Sequence, residues 1–487
     1  MADPISWAVT AITVVSKAAA GATLALTGSA TLAAGVGNAV LGLATWQGAF
    51  TAASIAATVL MQPQTNVEGS PTEWRADPTA GVPFALGRVA AAGRIVHRDE
   101  WGADNRYQSI WTVCSGAGPI QQIEGFYADD VAVSFGANGA ASTGPYADKM
   151  WLQTKLGTSS DTALAQTGLD AATPGYEGWN ASKALPYRAS CQLTLYQDSK
   201  FKSYPSGEPR TRLTLKGIKL YDPRLDSTVP GGSGSHRWGT PGTYAYSDNP
   251  ALLALNWAMG LYEGSRLVGG IGAGSAGVHL PAFMEWANVC DANGWTASAY
   301  PSSLDDRHQV LQGLMQAGGA RYARFAGKIS CIVSAPKSSV VTLSVEDTAG
   351  PFEIATNADR LEKINTLVPT CRMESHNWED VPQDEISVAA YVTADGGVID
   401  RDLNYPYVAL HADGSNRDQI AELAAYAILD SREPFSGTVP LKPWAMQIEP
   451  GDVFTITEPG FLLDGVELKC LTRSFDPMTN IVRVSFI

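Results

Sequence analysis

Between Ala18 and Val67 the sequence carries no ionisable side chain. It also lacks any two cysteines at CxxC spacing: Cys114, Cys191, Cys290, Cys331, Cys371 and Cys470 are scattered over 487 residues. That spread argues against a zinc or iron–sulfur site drawn from one local motif. It suits a reducing cytosol, where thiols serve as small apolar groups. No HExxH, GxSxG or P-loop occurs, so the local signatures of metalloproteases, serine hydrolases and nucleotide hydrolases are missing. Positive charge is scarce, with 34 Lys and Arg against 48 Asp and Glu and a formal charge of −14. A nucleic-acid grip needs clustered Lys and Arg, so this balance argues against one, although it suits a surface past which DNA slides.

What is present describes a folded chain long enough for three or four domains, 45% hydrophobic and 17% charged. The uncharged N-terminal stretch is a poor signal peptide, because Asp3 occupies the leading region and Lys17 follows the first apolar run. It is long enough for one or two spanning helices of roughly 20 residues. Small residues recur at every fourth position through Gly21, Ala25, Ser29, Ala33 and Gly37, a spacing that lets helices approach closely. Three readings stay open: a membrane anchor, a segment stored inside an assembly and released into a membrane later, and apolar packing that never meets lipid. The polar run from 63 to 82 reads as a linker.

The stretch from Arg212 to Met259 organises the rest. Alternation over Leu213, Leu215, Ile218 and Leu220 predicts a strand, and a Gly/Ser/Thr/Pro loop follows from Gly231 to Thr243. Then SDNPALLALNWAM predicts a helix, with Asp248 or Asn249 as cap and Pro250 in the first turn. The loop therefore reads as a boundary near residue 245. Before it, from residue 83, the texture is β, with a hairpin over FALGRVAAAGRIVHR, strands around 110–114, up to 129 and over 189–197, and an insertion at about 147–186. After it, 246–340 reads as an α/β unit. Its predicted elements are a helix from Pro281 to Trp295, a helix opened by Ser303 and Asp306, and a hairpin turning at Ala326-Gly327. From 341 to 487 the pattern is β, including Tyr391 to Asp400, with a helix at about 415–430; the end reads as a small barrel or sandwich.

Few residues point to chemistry. GAGSAG at Gly272, Gly274 and Gly277 fits GxGxxG, but Leu280-Pro281 delays the helix that a dinucleotide site requires, so a flexible connector is the better reading. Six histidines form no pair at metal spacing. Of the adjacent acids Asp305-Asp306 and Glu379-Asp380, Asp306 reads as a cap. Trp257 and Trp286 lie in apolar helices and read as core, whereas Trp179 and Trp238 lie in loops and are candidate interface anchors. No catalytic residue, metal or cofactor is expected.

KGIKLYDPR with the loop and SDNPALLALNWAM resembles the hub region of siphophage tail-tip proteins, the family of the lambda tip attachment protein and gene-transfer-agent hubs. GRVAAAGRIVHR and VCSGAGPIQQIEGFYADDVAV resemble its opening strands. PAFMEWANVCDANGW and ARYARFAGKISCIVSAPK resemble its α/β domain, and PGDVFTIT its closing barrel. The resemblance covers Pro83 to Ile487. It implies a mixed α+β, multidomain fold of β-barrel hub domains and an α/β domain, here preceded by an apolar helical segment. It implies a homotrimer at the virion tail tip, assembled in host cytoplasm, beneath distal tail proteins and holding the tape measure protein, with DNA only in transit. The chain reads as a short form without a fibre region, so receptor recognition is expected on separate receptor-binding or fibre proteins or on loops. The apolar segment would enter the host membrane on triggering or plug the lumen. Two other classes are a tip-borne cell-wall hydrolase, using two acids that meet in space, and a membrane-anchored pore or secretion component. Particles lacking Ala18 to Met61 are expected to fail in DNA delivery; delivery at the normal level would remove both the membrane and the plug reading.

Overall fold

The computed structural model describes residues 80–142, 144–164, 178–198, 204, 207–351, 353–355, 363–412, 414, 416–433, 436–458 and 463–487. The expected apolar helical segment lies outside them. Among the described residues the chain is mostly β, with five α-helices set between several sheets.

The first sheet contains β1 (Leu86–Ala91), β4 (Ile120–Ala128), β5 (Val131–Ala132), β8 (Thr211–Leu220), β9 (Ala245–Tyr246) and β12 (Ser298–Ala299), in the order β12-β1-β8-β4-β5 with β9 also on β8. The second contains β2 (Arg94–Trp101), β3 (Tyr107–Ser115), β6 (Met150–Leu156) and β7 (Ala189–Tyr196), in the order β2-β3-β7-β6. The expected hairpin over FALGRVAAAGRIVHR gives both strands but not their pairing: β1 lies against β8 and β12, and β2 against β3. Almost all of β1 is buried, which suits an interior strand, whereas β2 is buried little and forms an edge. Gly93 turns the chain between the sheets at φ 79°, where a Cβ would come within 2.4 Å of Thr112 Cγ2. The expected insertion at 147–186 is partly sheet, since β6 pairs with β7 along its whole length.

The helix that follows the long loop, α1 (Pro250–Met259), is buried at every residue. It packs against α2 (Leu280–Asn293) and α3 (Arg307–Ala317) and against β8. One apolar core therefore runs from Phe84 through Leu213 and Leu253 to Leu423, and packing crosses the boundary expected near residue 245. Asn249 caps α1, accepting from the amides of Ala251 at 2.9 Å and Leu252 at 3.4 Å. Its amide donates to Ala287 O and to Asp291 Oδ1 on α2. Asp306 caps α3, but Ser303 does not; its hydroxyl accepts from Val82 N instead. The hairpin turning at Ala326-Gly327 forms as β13 (Ala320–Phe325) and β14 (Lys328–Val333).

Beyond it, β15 (Ser339–Ser344), β16 (Glu353–Ala355), β21 (Ser436–Leu441), β22 (Val453–Glu458), β23 (Leu463–Asp476) and β24 (Ile481–Phe486) form a sheet with its own core. The segment 339–355 pairs with β22 at its start and with β21 at its end, and Ala349 N–H donates to Pro440 O at 2.8 Å. The sheet thus curls toward a barrel. Residues 363–433 leave it and build a separate layer from β17 (Thr366–Met373), β18 (Glu379–Pro382), β19 (Ile386–Ser387) and β20 (Asp400–Leu410). The run from Tyr391, expected to be strand, belongs to helix α4 (Ala389–Asp395), which Gly396 ends in the left-handed region at φ 76°. Helix α5 (Arg417–Asp430) packs on this layer through Ala424, Ala425 and Ile428, and so lies outside the core of the C-terminal sheet.

Replacing Asn249 with Ala removes a cap and the side-chain donor to the Ala287 carbonyl and the Asp291 carboxylate. It is expected to destabilise the chain by about 2–3 kcal/mol. A chemical denaturation midpoint checks this, and a loss under about 0.5 kcal/mol would contradict it.

Candidate functional site

The Gly/Ser-rich loop after β8 is pinned, and a buried carboxylate pins it. Asp226, 2% exposed, accepts from the Tyr221 hydroxyl at 2.8 Å, from Thr228 Oγ1 at 2.6 Å and N at 2.9 Å, and from Arg237 at 2.9 Å. Burial alone would push this carboxyl up. The Thr228 and Tyr221 hydrogen bonds and the Arg237 charge outweigh burial and hold it down at about 2. Next to it, Arg224 reaches from Asp222 to Asp291 on α2, so the loop is tied back to the helices. Trp238 packs edge-on to Tyr221 at 5.6 Å and to the exposed Tyr262 at 6.3 Å, within a cluster that includes Tyr244. The loop therefore presents an ordered aromatic surface.

A second arrangement joins the first sheet to the layer of β17 and β20. Arg88 donates to Glu124 at 2.7 Å and bidentately to Glu374 at 2.8 and 2.9 Å. It also contacts His411 Nδ1 at 3.1 Å and lies 5.7 Å from the Trp378 ring. Arginine can only donate, so in this contact Nδ1 must accept. Burial pushes the Glu374 carboxyl up, but Arg88 and the Ala412 amide pull it below its usual range. Beside it, Arg212 reaches Asn377 at 3.1 Å and stacks over Tyr127. Sequence reasoning passed over Arg88 and Glu374, which are 286 positions apart and belong to no motif. A third feature is a cavity of about 600 Å³ between the helices and the C-terminal sheet, lined by Tyr322, Tyr405, Tyr426 and Phe486. The Arg321–Asp430 ion pair also lines it.

Trp179 is 9% exposed and stacks on Trp111 at 4.9 Å, with His97 at 5.2 Å and the Lys183 ammonium over its ring. Trp257 and Trp286 are core, donating to Arg307 O and Gly318 O. Gly21, Ala25, Ser29, Ala33 and Gly37 lie outside the described residues. The GAGSAG loop is not a flexible connector. Ile271, Ala273 and Gly274 amides donate to the Trp257, Ala258 and Met259 carbonyls, closing the C-terminal end of α1. Gly270 permits this approach, since a Cβ there would lie 2.3 Å from Trp257 O. Asp305 holds Ser302, Asp306 caps α3, and Asp380 lies 3.7 Å from Arg372. Among the described residues no group of three or more His, Cys, Asp or Glu could hold a metal ion, and no helix is long and apolar enough to cross a membrane.

No family model and no curated protein matches the chain. Solved structures do. A chain in the virion of a native gene transfer agent particle aligns with a TM-score of 0.53 and 16% identity, over 96% of this chain and 95% of that one. The prophage MuSo2 43 kDa tail protein from Shewanella oneidensis aligns at 0.30 and 9% identity, over 84% of this chain and 98% of that one. A tail protein from Neisseria meningitidis MC58 aligns at 0.27 and 9%, over 84% and 95%. At 16% identity the first likeness is one of fold: the chain has the β-rich, multi-sheet architecture of a virion protein.

Asp226 carries the clearest pH signature of the pinned loop. Its folded-state value of about 2 lies below the ordinary aspartate range near 3.9. Its contribution is therefore complete above about pH 4 and is lost as pH falls toward 2. Asp226→Asn is expected to lower the melting midpoint at pH 7 and to flatten the decline between pH 4 and 2. An unchanged acid limb in the variant would contradict this assignment.

Proposed function

We propose that this chain is the structural hub of a long, non-contractile tail tip, closing the tail tube as a homotrimer and taking part in envelope penetration and DNA ejection. The observation that carries the reading is the fold shared with a gene transfer agent virion chain along almost the full length of both. The internal organisation supports it. Ion pairs and a pinned loop tie sheets and helices together, as a scaffold requires, and an acidic chain lets DNA pass without sticking.

In this role the chain sits at the virion tail tip after assembly in host cytoplasm. It contacts distal tail proteins, the tape measure protein and separate receptor-binding or fibre proteins. The aromatic surface of Trp238 and Tyr262 is available to a neighbouring subunit, because ring faces anchor interfaces at low entropy loss. Trp179, the other candidate anchor, is largely buried against Trp111 and His97 within its own subunit and so presents little surface to a neighbour. The segment bearing Gly21, Ala25, Ser29, Ala33 and Gly37 is kept from water until the tip meets a cell and then enters the host membrane, or else it stays as a plug in the lumen.

Mass in solution tests the reading. Three copies of the 51.5 kDa chain give about 155 kDa, a closed cyclic oligomer. A stable monomer at micromolar concentration would overturn the hub assignment.

A further inference from the structure

All six cysteines are reduced and buried, but two of them meet. Cys114 on β3 and Cys191 on β7 place their Sγ atoms 3.8 Å apart across adjacent strands of the second sheet. The register slips between Val113 and Ser115, so Cys114 occupies the irregular position while Cys191 lies opposite Thr112. A bulge re-aims a side chain, and both sulfurs belong to the main apolar core. The Tyr300 hydroxyl donates to Cys114 O at 2.7 Å and fixes the backbone at this place. Closing the gap to a disulfide requires the sulfurs to approach by about 2 Å, within reach of small side-chain rotations.

We propose that Cys114 and Cys191 form an oxidisable dithiol that closes to a disulfide between β3 and β7 under a small peroxide. One thiol sulfur takes an oxygen as the peroxide O–O bond breaks, giving a sulfenic acid and one water. The other sulfur attacks it, the S–O bond breaks, and hydroxide leaves with the thiol proton as a second water. Two thiols thus lose two electrons and two protons to one peroxide, and one S–S bond forms. The hydrogen bond with Cys191 and burial push the Cys114 thiol well above its ordinary range, so the reaction is slow and bulky disulfides are excluded. The bond would close a ring over a separation of 77 residues, enclosing β4, β5 and β6, and so restrain the unfolded chain strongly. This inference stands independently of the tail-hub reading.

The test uses the purified full-length chain, treated with dithiothreitol or with hydrogen peroxide, then unfolded, alkylated and weighed. The reduced sample takes six alkyl groups. The oxidised sample is expected to take four, to carry a bond that removes about 2 Da, and to yield one cross-link joining the peptides of Cys114 and Cys191. C114A or C191A is expected to abolish that cross-link. Six alkyl groups after peroxide, a cross-link between other cysteines, or over-oxidation at Cys114 without a link would each overturn the proposal. The wild-type chain carries the decisive reading, so it does not depend on either variant folding.

Discussion

The side-chain amide of Asn256 pairs with the backbone of Tyr221 as a neighbouring strand would: Oδ1 accepts from the Tyr221 amide at 3.0 Å and Nδ2 donates to its carbonyl at 2.9 Å. Tyr221 is the first residue past β8 and Asn256 lies inside α1, so this contact fixes where the helix sits against the sheet. The same Nδ2 also donates to Leu252 O, which leaves the amide fully satisfied although it is 3% exposed. Without such satisfaction a helix buried on all sides would hold an orphaned polar group. With it, Leu252, Leu253, Leu255, Trp257 and Met259 are all buried, each contributing roughly 1.5–3 kcal/mol. A single hydrogen bond contributes about 1 kcal/mol, so burial supplies the stability and Asn256 supplies the register.

Everything around α1 follows from that placement. The Trp286 indole donates to Gly318 O, joining α2 to the exit of α3, and GAGSAG closes the C-terminal end of α1. On the far side, α3 meets β20, where Gly313 leaves room for the Tyr407 ring at a place where a Cβ would stand 2.6 Å from Cε2. The C-terminal sheet keeps a separate core and meets the body across a cavity of about 600 Å³. Its attachment is polar and sparse by comparison, including Lys469 to Val333 O and Arg473 over Phe325. The molecule is thus one dense body with a second unit set beside it.

Much of this was legible in local residue patterns. Asn249-Pro250 marked the start of α1, Asp306 the start of α3, and Ala326-Gly327 the hairpin, because caps and turns depend on a few adjacent residues. Pairing was less legible. A hairpin over Leu86 to Arg98 satisfied every local rule, yet β1 joins β8 across more than a hundred residues, and only burial of both faces decides that. The helix α4 was missed because Tyr391, Val392 and Thr393 favour strands, while the left-handed Gly396 that stops the helix reads equally well as a turn. The clamp of Arg88 on Glu374 left no sequence signal, since an ion pair between distant surfaces has no spacing. The loop after β8 reads from its composition as a boundary between units, and the order that Asp226 imposes on it depends on Tyr221, Thr228 and Arg237 converging in space.

Electron cryo-microscopy of purified particles tests the proposed place of this chain in a tail tip most directly. The account predicts three copies around the distal end of the tail tube, with the Asn256–Tyr221 body recognisable in each. Particles whose tail tip contains no density for this chain would contradict it.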